Sequence, residues 1–219
     1  MQQDNKKIRD LIFSRQYSAV GIAPYAVLEA DEGRLSRWLS GGNSATLEYL
    51  ARNARHDPRT VLADCKSVVV ILFAPANERY HSPIRRELKR LLRAIQELEP
   101  SVVGRGVVDT APIFEKSWAV RAGLGSIGLN TLLVNPTLGT DFNIGILLLD
   151  VVLPYDSPFV SSLCAVDCRA CIDACPTGAL LGDHTLDCRQ CLSYLSQQTP
   201  GAAYGCLVCQ QACPWNGIP

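Results

Sequence analysis

The chain carries no surplus charge of either sign: 21 lysines and arginines are matched by 21 aspartates and glutamates among 219 residues. No long-range pull towards nucleic acid or an anionic membrane is therefore expected, and any such contact has to come from a local basic face. Long apolar runs are also missing. The longest, Ile144 to Leu153, is broken by Asp150 and is about half of the roughly 20 residues that a membrane span needs. Met1 to Asp10 is polar and mixed in charge with no apolar h-region, which predicts no secretory signal, no membrane attachment and a cytoplasmic protein. No repeat of solenoid length and no low-complexity tract occurs. With 47% hydrophobic residues, the length still allows a proper core in one or two domains.

Cysteine is what the chain has in excess. Nine of its ten cysteines fall in the pattern Cys164-x3-Cys168-x2-Cys171-x3-Cys175-Pro176, then Cys188 and Cys191, then Cys206-x2-Cys209-x3-Cys213-Pro214. In the bacterial ferredoxin run, three closely spaced thiolates hold one cluster while the fourth, before proline, ligates the other. That crossing rule assigns Cys164, Cys168, Cys171 and Cys213 to one 4Fe-4S cluster. Cys175, Cys206 and Cys209 go to a second, with one more thiolate from Cys188 or Cys191; Cys191 is favoured. Structural zinc normally uses two C-x2-C pairs without the x3-Cys-Pro ending, so two 4Fe-4S clusters are the expectation. The x3 gap after Cys164 departs from the regular x2.

Upstream of the cysteines the pattern is mixed helix and strand. Ile8, Leu11 and Ile12 sit at helical spacing, and Ser18 to Ile22 reads as a strand. A helix over Leu35–Leu39 ends at Gly41-Gly42, and Ser44 offers a cap for another running to about Asn53. Ser67 to Phe73 lacks alternation and predicts a central strand buried on both faces, with Cys65 before it a small buried hydrophobe. Ser82 and Pro83 open the clearest helix, whose apolar stripe is Ile84, Leu88, Leu91, Leu92, Ile95 and Leu98. Its other face, Arg85, Arg86, Lys89, Arg90 and Arg93, is either a solvated surface or a weak RNA-backbone contact. A strand over Val102–Val108 then leads to Asp109, and a helix is expected from Pro112 to Gly123. The composition places a boundary near Tyr155 to Pro158, giving domains 1–157 and 158–219.

Gly123-Leu124-Gly125-Ser126-Ile127-Gly128 satisfies G-x-G-x-x-G, but it follows a helix and has no βαβ context, so the dinucleotide reading fails. Glycines that let the main chain approach a bulky ligand are the preferred reading. Asp109, at the end of an apolar strand, is a candidate general acid that would need burial to keep a proton near neutral pH; capping the helix that follows is the plain alternative.

Taken together, Tyr49-Leu50-Ala51-Arg52-Asn53, Arg55-x-Asp57-Pro58, Tyr80-His81, Val108-Asp109-Thr110-Ala111-Pro112, Arg121-Ala122-Gly123-Leu124-Gly125 and Asn130-Thr131-Leu132-Leu133 resemble the cobalamin-dependent epoxyqueuosine reductases. So do Cys191-Leu192-Ser193-Tyr194-Leu195 and the stretch from Tyr204 to Asn216. The resemblance implies an α/β (α+β) domain related to corrinoid-processing and nitroreductase-like folds, holding base-off cobalamin, followed by a ferredoxin-like domain with two clusters. It makes Asp109 the proton donor and Arg55, Asp109, Asn130 and Leu133 cobalamin contacts, with Tyr80 and His81 weaker candidates. No Asp-x-His-x-x-Gly pattern is present to supply a lower histidine ligand.

The chain departs from the family pattern at Leu129, where lysine is usual, at Ser126, usually aromatic, and at Ile146, often glutamate. The family also generally continues after the Pro-Trp-Asn run into a helical-repeat region that grips tRNA, and its loop before Cys206 is longer. These departures predict a monomer, fed by an external donor of ferredoxin or flavodoxin type, with weak, salt-sensitive tRNA contact through the Arg85–Arg93 face. The alternative is a corrinoid reductase or electron-transfer protein without an organic substrate of its own.

Overall fold

The computed structural model describes residues 2–52, 54–75, 81–109, 111–198 and 205–217. Its elements, in chain order, are α1 (Gln2–Ser14), β1 (Ala19–Pro24), α2 (Glu29–Ser40), β2 (Ser67–Phe73), α3 (His81–Leu98), β3 (Gly104–Val107), α4 (Glu115–Arg121), β4 (Ser126–Ile127), β5 (Leu133–Val134), β6 (Asn143–Leu149), α5 (Ala170–Asp173), α6 (Leu192–Gln197) and α7 (Val208–Gln211). They form two compact units: Met1–Glu29, Ala54–Leu124 and Phe142–Val160 in the first, and Ala30–Asn53, Gly125–Asp141 and Ser161–Pro219 in the second. One cut near Tyr155–Pro158 does not describe this packing, because segments 30–53 and 125–141 fold with the cysteine-rich segment. Hydrogen bonds between remote residues hold them there: Trp38 Nε1 donates to the Leu186 carbonyl (2.7 Å), the Cys188 amide to Asn43 O (2.8 Å) and the Thr140 amide to Asn216 Oδ1 (2.6 Å).

The first unit is built on a four-stranded sheet in the order β1-β2-β6-β3, antiparallel at every pairing. β2 is interior, and Ser67 through Leu72 are all buried, as its unbroken Val-Val-Val-Ile-Leu run predicts. Ser67 resolves its own burial by donating to Val151 O (2.6 Å) and accepting from the Leu153 amide (3.0 Å). One face of the sheet, with Ile22, Val69, Ile71, Leu147 and Leu149, packs against Ile8 and Ile12 of α1 and Ile84, Leu88, Leu91 and Ile95 of α3. Glycine makes that approach possible: a Cβ on Gly106 would lie 2.8 Å from Leu88 Cβ. α4 lies against β1, β2 and β6. Gly21, paired with Val70, belongs to the sheet face opposite α3, and a Cβ there would meet the Ala122 carbonyl just past α4.

Several expected boundaries shift. α3 begins at His81, so Ser82 and Pro83 sit inside its first turn, where proline is tolerated, and Leu98 at its end is 50% exposed. The helix expected from Ser44 is only a 3₁₀ turn, Glu48–Arg52, and Ser44 is buried instead of capping. The helix expected over 112–123 is trimmed to Glu115–Arg121, because Pro112 is the centre of a tight turn in which the Ile113 amide donates to Ala111 O (2.8 Å). The glycines of the G-x-G-x-x-G run let the chain approach itself closely: at φ +80 Gly123 lies under Ser157 O, and at φ +148 Gly125 lies under Val134 O. Among the described residues no helix is long and apolar enough to cross a membrane.

Candidate functional site

The cysteine-rich unit sorts its thiols into two sets. A cavity of about 270 Å³ is lined by Cys164, Cys168, Cys171 and Cys213 together with Leu129, Val134, Leu163 and Trp215. Burial, then the neighbouring Cys164, pushes the Cys171 thiol up to about 11; burial, then Cys164 and Cys168, raises Cys213 likewise. For Cys209 the burial effect is reinforced by Cys191, Cys206 and Cys175. The cavity thus brings together the four thiols that the crossing rule groups, and Cys209, with Cys175, Cys191 and Cys206 near it, also acts on Cys171. Helix α5, which carries Cys171, packs against α7, which carries Cys209.

Local structure explains each position. The extra residue after Cys164 is absorbed by a turn in which the Cys168 amide donates to Ala165 O (3.0 Å) and Val166 projects, 99% exposed. Leu163, just before it, is fixed on both sides: its amide donates to Ser126 Oγ (2.9 Å) and its carbonyl accepts from Trp215 Nε1 (2.8 Å). At Cys175, burial raises the thiol, but hydrogen bonds from Thr177 and from the amides of Ala179 and Leu180 outweigh it and leave it below the ordinary value. Such N–H donors suit a sulfur that carries negative charge on a cluster. Cys188 and Cys191 are separated by the turn that Asp187 organises: its carbonyl takes the Cys191 amide (3.2 Å) and its carboxylate the Arg189 amide (2.9 Å). Hydrogen bonds from Arg189 outweigh burial and hold that carboxyl well below the usual range. Cys188 itself is buried, its thiol pushed up to about 11 by burial and then by Cys191 and Asp187.

Among the described residues no three His, Cys, Asp or Glu side chains converge on a point that could hold a single ion. The thiols stand around a volume instead, an arrangement that fits a multi-atom cluster. Cys65 is fully buried beside β2, its thiol pushed up to about 11 by burial, as a small core hydrophobe.

The remaining expected site residues divide between the units. In the first, Asp109 follows β3 at φ +55, a left-handed conformation in which aspartate is enriched. It is exposed, which corrects the expectation of a buried acid. Arg55 is half-buried, and its Nη1 donates to Ala111 O (3.1 Å). In the second, Asn130 is buried and its Oδ1 accepts the Leu132 amide (3.2 Å), closing the β4–β5 turn, while Leu133 is buried in β5. Tyr80 lies outside the described residues, as does the side chain of His81.

Three residues beyond the expected set draw notice in the first unit. Arg55 Nε, Glu115 Oε1, Trp118 Nε1 and Arg121 Nε are all buried without a hydrogen-bond partner. Natural interiors leave few such groups, and polar atoms lacking partners fit contact with a polar ligand edge such as the amide-rimmed corrin of cobalamin. Glu115 is unusual electrostatically: burial, then the charge of Asp109, raises its carboxyl to about 7. An acid between Phe114 and a lysine at a helix start was the available signal for it, and it reads as an ordinary first-turn acid.

A model of the 4Fe-4S double cluster binding domain matches residues 164–216. The epoxyqueuosine reductase of Cyclobacterium marinum is 35% identical over 90% of this chain and 74% of its own length. Among solved structures, the epoxyqueuosine reductase of Streptococcus thermophilus superposes with a TM-score of 0.86 at 27% identity, covering 97% of this chain and 66% of that one. An epoxyqueuosine reductase solved with an epoxyqueuosine-modified tRNA-Tyr stem loop superposes at 0.85 and 24% identity, over 96% of this chain and 64% of that one. A reductive dehalogenase whose structure suggests a mechanism for B12-dependent dehalogenation shares the fold, with a TM-score of 0.62 at 18% identity over all of this chain and 33% of that one. With the thiol sets in place and identity sustained along nine tenths of its length, the chain belongs to the epoxyqueuosine reductase family of oxidoreductases.

Proposed function

We propose that this chain reduces epoxyqueuosine to queuosine using two 4Fe-4S clusters and a base-off cobalamin, with Asp109 as proton donor. The observation that carries the reading is the cavity lined by Cys164, Cys168, Cys171 and Cys213, with Cys175, Cys191 and Cys206 near Cys209, in a chain of this family. Cys164, Cys168, Cys171 and Cys213 hold one cluster, and Cys175, Cys191, Cys206 and Cys209 the other. When bound, the clusters supply single electrons and cobalamin a strongly reducing cobalt. Arg55, Asp109, Asn130 and Leu133 would hold the cobalamin, as the family resemblance implies. The chain's own chemical contribution is the proton: Asp109, exposed after β3 and covered only when a substrate sits on it, protonates the oxygen that leaves the reduced carbon centre. The enzyme is read as a cytoplasmic monomer fed by an external one-electron donor of ferredoxin or flavodoxin type.

The test is anaerobic turnover by protein reconstituted with iron, sulfide and cobalamin, offered epoxyqueuosine both in tRNA and as the free nucleoside. Conversion of either to queuosine is expected, and Asp109→Asn should slow it by roughly 10² to 10⁴ with cobalamin still bound. Failure of the fully loaded protein to convert either substrate would overturn the reading. Electron paramagnetic resonance of the cob(II)alamin form should lack axial nitrogen splitting; its presence would contradict the base-off state.

A further inference from the structure

We infer that Thr177 is a positioning residue for electron transfer: its hydroxyl donates to the Cys175 sulfur and raises the reduction potential of the cluster that Cys175 serves. That cluster is then the first of the two to accept an electron. The inference deepens the proposed function and rests on it for the two ligand sets.

The argument starts from two matching turns that differ in one residue. Each half of the cysteine pattern ends in Cys-Pro, and the next residue is threonine in Cys175-Pro176-Thr177 but tryptophan in Cys213-Pro214-Trp215. Thr177 Oγ1 stands 3.8 Å from Cys175 Sγ, a separation that the larger radius of sulfur allows for a hydrogen bond. A cluster-bound thiolate carries no proton and can only accept, so in the loaded protein the hydroxyl is the donor. Trp215 has no hydroxyl to offer, and its indole N–H is taken by the Leu163 carbonyl at 2.8 Å.

The fold holds the Thr177 turn at both ends. The Gly178 amide donates to the Cys175 carbonyl (3.3 Å). Beyond it Ala179 and Leu180 are buried, with the Asp187 amide donating to Ala179 O (2.8 Å) and Leu180 bridged to Leu186. Thr177 is therefore fixed between an anchored cysteine and an anchored strand-like pair.

Exposure acts in the same direction. Cys175, Cys191, Cys206 and Cys209 are all half-buried, whereas Cys171 and Cys213 are buried in the cavity that Leu129, Val134, Leu163 and Trp215 help to line. Reduction adds one negative charge to a cluster, and hydrogen-bond donors or water near its sulfurs stabilise that charge. The Cys175 set accepts its electron at the higher potential, and the set with Cys171 and Cys213 at the lower, more strongly reducing one. An external one-electron donor loses one electron for each that a cluster gains, so the two fill in that order.

Redox titration of the full, cluster-loaded chain, followed by electron paramagnetic resonance and accompanied by iron analysis, tests this. The wild type should show two one-electron midpoints. Thr177→Val keeps the shape and removes the donor; it should lower the higher midpoint by about tenfold in the equilibrium constant, about 59 mV, and leave the lower one in place. Thr177→Ser should restore most of that shift. In Cys191→Ser, which removes a ligand of the same set, the midpoint that survives should be the lower one. An unmoved higher midpoint in Thr177→Val with about eight irons still bound would overturn the inference, as would survival of the higher midpoint in Cys191→Ser. Thr177→Ala is the second variant, and loss of iron from both Val and Ala would overturn it in favour of a purely structural threonine. A wild type with only about four irons would overturn the ligand sets and the inference with them. Two midpoints with the Val shift but no turnover of epoxyqueuosine would sink the proposed activity and leave the role of Thr177 standing.

Discussion

At the scale of single residues, the choice between Cys188 and Cys191 turns on three residues of chain. Both thiols lie in the same turn, but the Asp187 carbonyl draws in the Cys191 amide, and Cys191 stands among the neighbours of Cys209. The Cys188 amide instead donates to Asn43 O, and its side chain is buried. Anaerobic reconstitution should give about eight irons per chain. Cys191→Ser should lose about half of that iron and Cys188→Ser little, read by iron analysis and by the absorption that bleaches on reduction. Spacing alone narrowed the eighth ligand to this pair, and it favoured Cys191 without a contact to support it. The pair came into play because position 203, where a regular repeat would put the ligand, is alanine.

The helix α3 shows what a single element carries. Its apolar stripe was legible because the 3.6-residue period leaves Ile84, Leu88, Leu91 and Ile95 on one side, and all four are buried against the sheet. Leu88 packs over the glycines of β3 and β6, Gly106 and Gly145, the second of which it shares with Ile84 and Phe73. Leu88→Ala should therefore destabilise the first unit by about 2 to 5 kcal/mol, measured by denaturant unfolding. A value below about 1 kcal/mol would mean that the helix settles into the gap. The ends of elements were less legible. The start of α4 was placed too early because Pro112 is a good first-turn residue, and nothing local announced that the chain would turn once more before the helix began.

At the scale of the whole molecule, zero net charge leaves the Arg85, Arg86, Lys89, Arg90 and Arg93 face of α3 as the basic surface that the sequence offers. All five side chains are exposed, and Arg90 is engaged by Glu87 at 3.7 Å. If tRNA lies on this face, each phosphate contact adds about 0.7 to 0.9 to the slope of log affinity against log salt. Lys89→Glu with Arg93→Glu should then cut that slope by roughly 1.4 to 1.8, while leaving turnover of the free nucleoside unchanged. Filter binding at several salt concentrations checks this. An unchanged slope would move the tRNA contact elsewhere on the molecule.

What the sequence determined by itself is whatever depends on neighbours along the chain. Cysteines three and four residues apart must form local ligand loops, a heptad-like stripe must bury one side, and an unbroken run of apolar, mostly β-branched residues must find cover on both faces. The tertiary structure decided the rest, because it rests on contacts between residues far apart in sequence. Trp38 reaches Leu186, and Thr140 reaches Asn216, so segments 30–53 and 125–141 join the cysteine-rich unit. Arg55 reaches Ala111, and Asp109 stands exposed rather than buried. Folding also surrounds Glu115 with enough protein to raise its carboxyl to about 7, a value that desolvation sets and that the spacing of residues along the chain does not encode.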